Sequence, residues 1–124
     1  KIQHLKNRIQ FIYSGIDNFC TGKYDIIISN PPYIKSASIK NLDEDVRLYE
    51  PRIALDGGHD GYSLIGEVVK KSSYLLKNGG KLFLEIGFEQ INEVKKLLKD
   101  NHFYVNKIAK DLRKINRCII STKI

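Results

Sequence analysis

The run from Tyr24 to Ser29 places the tightest constraint on how this chain can fold. It holds three consecutive isoleucines and is followed at once by Asn30, Pro31 and Pro32. Isoleucine favours extended backbone, and proline has no N–H to give to a sheet, so the run predicts a buried strand that stops at Ser29. Asn30 is then the first residue beyond the strand end.

In open α/β sheets, ligands bind in the crevice outside the carboxyl ends of the strands. Asn30 brings an amide acceptor and two donors to that place, Pro31 and Pro32 add carbonyl acceptors, and Tyr33 adds an aromatic face. Such a set can hold a planar amide or amine and aim its nitrogen at a reacting atom, as methyl transfer requires. The alternative is that Asn-Pro-Pro forms only a turn, which both residue types favour. The preceding strand favours the functional interpretation.

The chain before this strand carries weaker signals. Ile2, Leu5 and Ile9 have helical spacing, which predicts a helix already under way at the start of the sequence. A short strand is predicted over residues 9–13 and a loop over residues 14–18. Residues 34–61 have little periodicity, which predicts an active-site lid or substrate loop. Within it, Arg47 either forms structural ion pairs with Asp45 and Glu50 or contacts an acidic substrate.

The second half of the chain has clear periodic patterns. An N-cap at Asp60 should begin a helix with Ile65 and Val69 on its apolar face, ended by a glycine cap at residues 78–80. A buried strand over residues 81–86 and a helix over residues 89–100, with Asn101 as its C′ residue, follow. The strands at residues 103–108 and 117–122 are joined by a link too short for a crossover helix, so they should be antiparallel neighbours.

Composition excludes several classes of protein. No apolar run approaches the roughly 20 residues of a membrane span. Cys20 and Cys118 lie too far apart in sequence for a metal cluster or a disulfide framework, which indicates ordinary thiols in a reducing cytoplasm. The net charge is +7, but the 21 Lys and Arg residues are spread along the chain without an aromatic-interleaved basic stripe. Direct nucleic-acid binding is therefore not favoured.

Three stretches together resemble one family. Asn30-Pro31-Pro32-Tyr33 is similar to the signature of methyltransferases that act on planar nitrogens of adenine, cytosine or glutamine. Residues 45–61 read DVRLYEPRIALDGGHDG and residues 79–87 read GGKLFLEIG, followed by Gln90. With these runs the chain, from about residue 9 to residue 120, resembles the HemK family, the glutamine methyltransferases of peptide chain release factors.

The resemblance implies a Rossmann-like α/β fold that uses S-adenosyl-L-methionine and ends in an antiparallel strand pair. It implies that Asn30, Pro31, Pro32 and Tyr33 bind the substrate and carry the catalysis. Asn30 would also contact the cofactor. In the family an acidic residue in the loop after the preceding strand lies near the cofactor's adenine, and Asp17 is the candidate here, although a plain turn aspartate fits equally well.

A complete enzyme of this class begins with a strand, a glycine-rich turn and a helix that hold the cofactor. No such turn precedes Asn30, so we expect residues 1–124 to be the C-terminal part of a single catalytic domain, with the first strands upstream of Lys1. The Tyr24–Ser29 strand would then keep an uncovered edge, which favours self-association.

Three functions stay open at this point. The first is methylation of a release-factor glutamine. The second is methylation of an amino group in nucleic acid, such as that of adenine, for which a basic face or a target-recognition insert is expected. The third is a noncatalytic remnant or partner module that lacks the cofactor loop.

Overall fold

The computed structural model describes residues 8–124. The helix predicted from Ile2, Leu5 and Ile9 falls mainly on residues 1–7 and so lies outside the described residues. In chain order the regular elements are the strand β1 (Tyr24–Ser29) and the helices α1 (Glu44–Tyr49) and α2 (Ser63–Leu75), then β2 (Leu76–Glu85), α3 (Ile91–Asp100), β3 (Phe103–Lys110) and β4 (Asn116–Lys123). The predicted α/β class is confirmed.

The four strands form one mixed sheet in the order β1-β2-β4-β3. β1 and β2 are parallel, and β4 is antiparallel to both β2 and β3. The predicted strands at residues 103–108 and 117–122 are confirmed as antiparallel neighbours, each longer than expected by one or two residues at its ends. Within residues 8–124 no strand pairs with the outer side of β1, so its edge is open there.

One face of the sheet packs on α2 and α3 and forms the core. Alternate β2 residues Leu82 and Leu84 are fully buried against helix residues such as Ile65 and Val94. This alternation is the period of two that a half-covered strand shows. Phe83, between them in sequence, is only half-buried on the other face.

The boundary between α2 and β2 differs from the prediction. Gly79 and Gly80 do not cap the helix, which ends at Leu75, directly before the strand. They lie in an irregular stretch of β2, where Tyr24 pairs with Leu76 but Ile26 pairs with Lys81. Gly79 has φ +78°, a backbone conformation that glycine adopts without steric cost and that lets β2 accommodate the extra residues.

Two helix caps also differ in detail from the prediction. Tyr62, rather than Asp60, is the N-cap of α2, although the Asp60 carboxylate still accepts a 2.8 Å hydrogen bond from the Tyr62 N–H. At the end of α3, Asn101 is the C-cap with φ −107°. The left-handed conformation falls on His102, with φ 63°.

One prediction for the first half of the chain is wrong, and a second is incomplete. Residues 9–13 form no strand, and Phe11 and Tyr13 are almost fully exposed, because no described segment offers their backbone a hydrogen-bonding partner. Residues 34–61 are not a plain loop. They contain the short helix α1 and 3₁₀ turns at Ser36–Asn41 and Arg52–Ala54.

Candidate active site

The segment after β1 enters a cleft at the carboxyl edge of the sheet. Ser29 of β1 is in register with Leu84 of β2, so Asn30 and Glu85 follow at the same level on neighbouring strands. The cleft has a volume of about 260 Å³ and is lined by Asn30, Pro31, Pro32, Tyr33, Ile34, Glu50, Ala54, Leu55 and Glu85. The four residues predicted from the sequence therefore line a single cleft.

Asn30 and Tyr33 present different chemistry in this cleft. Asn30 is exposed, and its side-chain amide makes no hydrogen bond with any described residue. It can therefore accept from and donate to a ligand. Tyr33 is half-buried, and its hydroxyl lies 3.4 Å both from Glu85 Oε1 and from Arg117 Nη1. Burial is the largest influence on this phenol and raises its pKa, while the nearby Arg117 acts in the opposite direction.

Only part of the predicted set of acceptors is open to a ligand. A Cβ added to Gly57 would lie 2.9 Å from the Pro32 carbonyl oxygen, so this oxygen is covered by the glycine backbone. The Tyr33 carbonyl oxygen accepts a 3.3 Å hydrogen bond from Gln90 Nε2. Asn30 and the Pro31 carbonyl remain as the candidates to receive a planar N–H group.

Gln90 holds the segment in place from behind. Its side chain is buried, donates from Nε2 to the Gly61 carbonyl oxygen at 2.9 Å, and accepts the Gly87 N–H at 2.8 Å. A Cβ at Gly61 would lie only 2.7 Å from the Tyr33 carbonyl oxygen, so glycine is required for this close approach. The buried amide therefore ties three loops together beneath Tyr33.

A short parallel bridge closes the segment from the other side. The Ile34 N–H donates to the Leu55 carbonyl at 3.1 Å, and the Gly57 N–H donates to the Ile34 carbonyl at 2.8 Å. The Asp56 carboxylate binds Ser36 Oγ at 2.5 Å and Arg52 Nε at 3.2 Å. The hydrogen bond from Ser36 is the main cause that lowers the Asp56 pKa.

The ion pair in residues 34–61 differs from the expected set. Arg52 and Asp56 form it, whereas Asp45, Arg47 and Glu50 are in no ion pair that the described residues form. Glu50 instead lines the cleft. The spacing of four residues between Arg52 and Asp56 is a local signal for their ion pair. The place of Glu50 in the cleft has no such signal, because it depends on how the chain folds back after β1.

Asp17, the predicted cofactor contact, lies elsewhere. It is exposed and lines a cleft with Glu67, Lys70, Lys71 and Tyr74, and its carbonyl oxygen accepts a 2.8 Å hydrogen bond from Lys71 Nζ. Asn30 lines the other cleft. No single cleft of the described residues is lined by both predicted cofactor contacts, although a third cleft is lined by their sequence neighbours Ile16 and Ser29.

The sequence interpretation did not assign site roles to Glu85, Gln90 and Arg117. The available signals were weak: a carboxylate at the end of a buried strand for Glu85, and membership of the resembling run for Gln90. Arg117 had no sequence signal for a site role.

Within residues 8–124, no group of three or more His, Cys, Asp or Glu side chains could hold a metal ion. No helix in that part of the chain is long and apolar enough to span a membrane.

Comparison with known proteins shows which family the chain is similar to. The family model of the Eco57I restriction-modification methylase matches residues 1–123. The chain is 39% identical over 101 residues to a release factor glutamine methyltransferase of Clostridium acetobutylicum, an alignment that covers 82% of this chain and 35% of that protein. A release factor glutamine methyltransferase of Fusobacterium nucleatum is 42% identical over 101 residues, covering 82% of this chain and 28% of that protein.

A solved structure shows the same fold. A crystal structure of a methyltransferase from Pyrococcus furiosus superimposes with a TM-score of 0.57 at 21% identity, covering 83% of this chain and 42% of that one. The chain spans about a third of the length of the curated relatives described above. The predicted resemblance to methyltransferases is thereby confirmed, and the chain belongs to the family described by the Eco57I restriction-modification methylase model.

Proposed function

We propose that the protein containing this chain methylates the side-chain amide nitrogen of a glutamine in a peptide chain release factor. The observation that carries the proposal is the cleft at the end of β1, where an exposed Asn30 amide has no hydrogen-bond partner among the described residues and lies next to Pro31, whose carbonyl accepts no hydrogen bond from them either. The names of the relatives that are 39% and 42% identical supply the class of substrate.

The chemistry of an amide fits this cleft. An amide nitrogen has two N–H groups, which Asn30 Oδ1 and the Pro31 carbonyl can accept, and the plane of the group is then fixed. Catalysis comes mainly from this orientation, because the nitrogen lone pair must point along one direction to react. In this family S-adenosyl-L-methionine supplies the methyl group. The nitrogen would gain that methyl group as the methyl–sulfur bond breaks, the sulfur compound would leave as a neutral thioether, and the nitrogen would then lose one proton to solvent.

The charges in the cleft support the same reaction. Among the described residues Glu50 and Glu85 line it and no Lys or Arg does, while Arg117 lies behind Tyr33, 3.4 Å from its hydroxyl. Positive charge develops on the nitrogen before its proton leaves, and a nearby carboxylate stabilises that charge more strongly than water does. We assign this role to Glu85, which Tyr33 holds through its hydroxyl.

A second candidate substrate is an amino group in nucleic acid. It is favoured by the family model, which is named for a restriction-modification methylase. Two carboxylates in the cleft oppose it, because they repel the phosphates next to the target base. The third interpretation, a noncatalytic module, predicts no transfer to either kind of substrate.

We assign the protein to the cytoplasm, and within the described residues both Cys20 and Cys118 are free thiols.

One assay separates these candidates. The full-length protein is incubated with labelled S-adenosyl-L-methionine and either a purified release factor or an adenine-rich oligonucleotide. We expect label on one glutamine of the release factor, located by peptide mass spectrometry, and none on a release factor with that glutamine changed to alanine. Label on the oligonucleotide alone would replace the proposal with the second candidate. No label on either would support the noncatalytic module.

A further inference from the structure

The turn that joins β3 and β4 is an exposed cationic element. From Lys107 to Arg117 the sequence has five positive residues and one negative residue, Asp111. Arg117 Nε lies 3.5 Å from the Asp111 carboxylate and opposes that single negative charge. Arg113 and Lys114 form no ion pair with any carboxylate among residues 8–124. Leu112, between them and Asp111, is fully exposed.

This turn has a defined shape. The Asp111 carboxylate accepts the Arg113 N–H at 2.9 Å and the Ile115 N–H at 3.0 Å. The Asp111 N–H donates to the Ile115 carbonyl at 2.8 Å, and Lys114 takes the left-handed conformation at φ 64°. The hydrogen bond from Ile115 is the main cause that lowers the Asp111 pKa. A turn fixed in this way loses little conformational entropy when it binds a partner.

The turn lies at the same edge of the sheet as the Asn30 cleft. Glu85 of β2 pairs with Cys118 of β4, and the Ile86 N–H donates to the Arg117 carbonyl at 2.9 Å. The residues before Arg117 therefore extend past the carboxyl ends of β1 and β2. β4 is two strand spacings from β1, which is about 10 Å. The side chain of Arg117 reaches back to within 3.4 Å of the Tyr33 hydroxyl.

We propose that this turn docks an acidic, extended segment of the protein substrate next to the methylated glutamine. The cations at Arg113 and Lys114 attract the acidic side chains, and Leu112 supplies an apolar contact at the centre. A protein partner fits better than nucleic acid because the turn has no aromatic residue on which a base could stack. That the docked segment belongs to a methylated protein substrate rests on the proposed function. The attraction of an acidic peptide to the turn does not.

The test measures binding to the full-length protein by fluorescence anisotropy. The probes are a labelled peptide with aspartates on both sides of a glutamine and the same peptide with asparagines instead. The double variant Arg113→Glu/Lys114→Glu reverses the charge at the turn. The matched control is Lys95→Glu/Lys96→Glu, which makes the same change at two adjacent exposed positions on α3. Thermal melts confirm that all variants are folded.

We expect the turn variant to weaken binding of the acidic peptide at least about tenfold at low salt, and the control to weaken it less than about twofold. Binding of the asparagine peptide should change little in either variant. Leu112→Ser should weaken both peptides by about two- to threefold. An equal loss in the turn variant and the control, an equal loss for both peptides, or no binding of the acidic peptide to the wild type would each overturn the proposal.

Tighter binding of a single-stranded oligonucleotide than of the acidic peptide, lost in the same variant, would also overturn it in favour of nucleic-acid docking. Failure of the proposed function gives a different result. In that case the wild type would transfer no methyl group to a release factor, while the charge dependence of peptide binding would still hold.

Discussion

The end of β1 and the edge of β1 have opposite surroundings, although they belong to the same strand. Beyond its carboxyl end, Tyr33 and Ile34 accept hydrogen bonds from Gln90 and Gly57, and the Ile34 N–H donates to Leu55. Along its outer edge no described strand pairs with it, and the side chain of Ile28, on the sheet face away from α2 and α3, is 78% exposed. Within the described part of the chain, the residues after β1 are therefore held in place by hydrogen bonds, even though no strand covers the outer edge of β1.

The same contrast appears in the core. Apart from Pro31 and Gly57, the buried residues of the described chain lie between Gly61 and Ser121. The residues before β1 contribute Ile16 as a partly buried neighbour, while Phe11 and Tyr13 are open to solvent. The Asn30 cleft thus rests on the well-packed half of the molecule through Gln90 and Glu85.

The largest expected effect is at Asn30, directly beyond the carboxyl end of β1. Asn30→Ala in the full-length protein should lower kcat/KM on the release factor by at least about a hundredfold and leave the fold intact, because the lost amide orients the reacting nitrogen. Steady-state kinetics and a thermal melt measure the two quantities. Asn92→Ala, at an exposed position on α3, is the control and should have near-normal activity. Normal turnover of the Asn30 variant would remove this residue from the mechanism.

Gln90→Leu should show how much the hydrogen bonds of the Gln90 amide contribute to stability when the volume of the side chain is kept. It keeps the side-chain volume but leaves the buried Gly87 N–H and Gly61 carbonyl without partners, which should lower the free energy of unfolding by about 2–4 kcal/mol. Denaturant melts of the variant measure this loss. Gln10→Leu, an exposed change before β1, should shift the stability by less than about 0.5 kcal/mol. Equal losses of unfolding free energy in Gln90→Leu and Gln10→Leu would mean that the segment beyond the end of β1 is held no more firmly than the residues before β1.

Tyr33 should show which part of its side chain matters. Tyr33→Ala should reduce kcat/KM by about tenfold, and Tyr33→Phe by less, because the stacking face needs the ring more than the hydroxyl. Equal losses would point to the hydroxyl and its contacts with Glu85 and Arg117.

The titration of this phenol gives an independent check. Burial raises the Tyr33 pKa above the ordinary value of 10.0. The folded state therefore holds the proton more tightly than the unfolded state does. This contribution to stability is complete below pH 10 and is lost as the pH rises toward the folded-state pKa. Ultraviolet absorbance should show that Tyr33→Phe removes a late-titrating tyrosine, and removal of an early one would contradict the assignment.

The smallest effect on stability is expected at the open edge. Ile28→Lys should change the free energy of unfolding by less than about 0.5 kcal/mol, because the side chain is already exposed. It should also reduce self-association of the chain, since a charge on an unpaired strand edge opposes edge-to-edge pairing. Light scattering measures the mass, and Leu84→Ala in the core, which should cost about 2–5 kcal/mol, is the contrast. A large loss at Ile28 would show that a further segment covers this edge.

Most of the framework could be predicted from sequence because its signals are local. Three isoleucines followed by prolines predicted β1 and its end, and the short link after Lys110 predicted the antiparallel pair that β3 and β4 form. The strand predicted at residues 9–13 shows where such local signals fail. The residues at 9–13 have strand composition, but a strand needs a partner, and composition contains no information about one.

The sequence by itself determined where β1 stops and which four residues follow it, because proline lacks an N–H whatever lies around it. Only the tertiary structure decided what holds those residues. Gln90 is 57 positions from Tyr33, and Arg117 is 84 positions away, yet both reach it. Such contacts depend on the order and register of the strands, which bring distant residues to one edge of the sheet. The same register placed Glu85 beside Asn30, whereas Asp17 lines a separate cleft along α2.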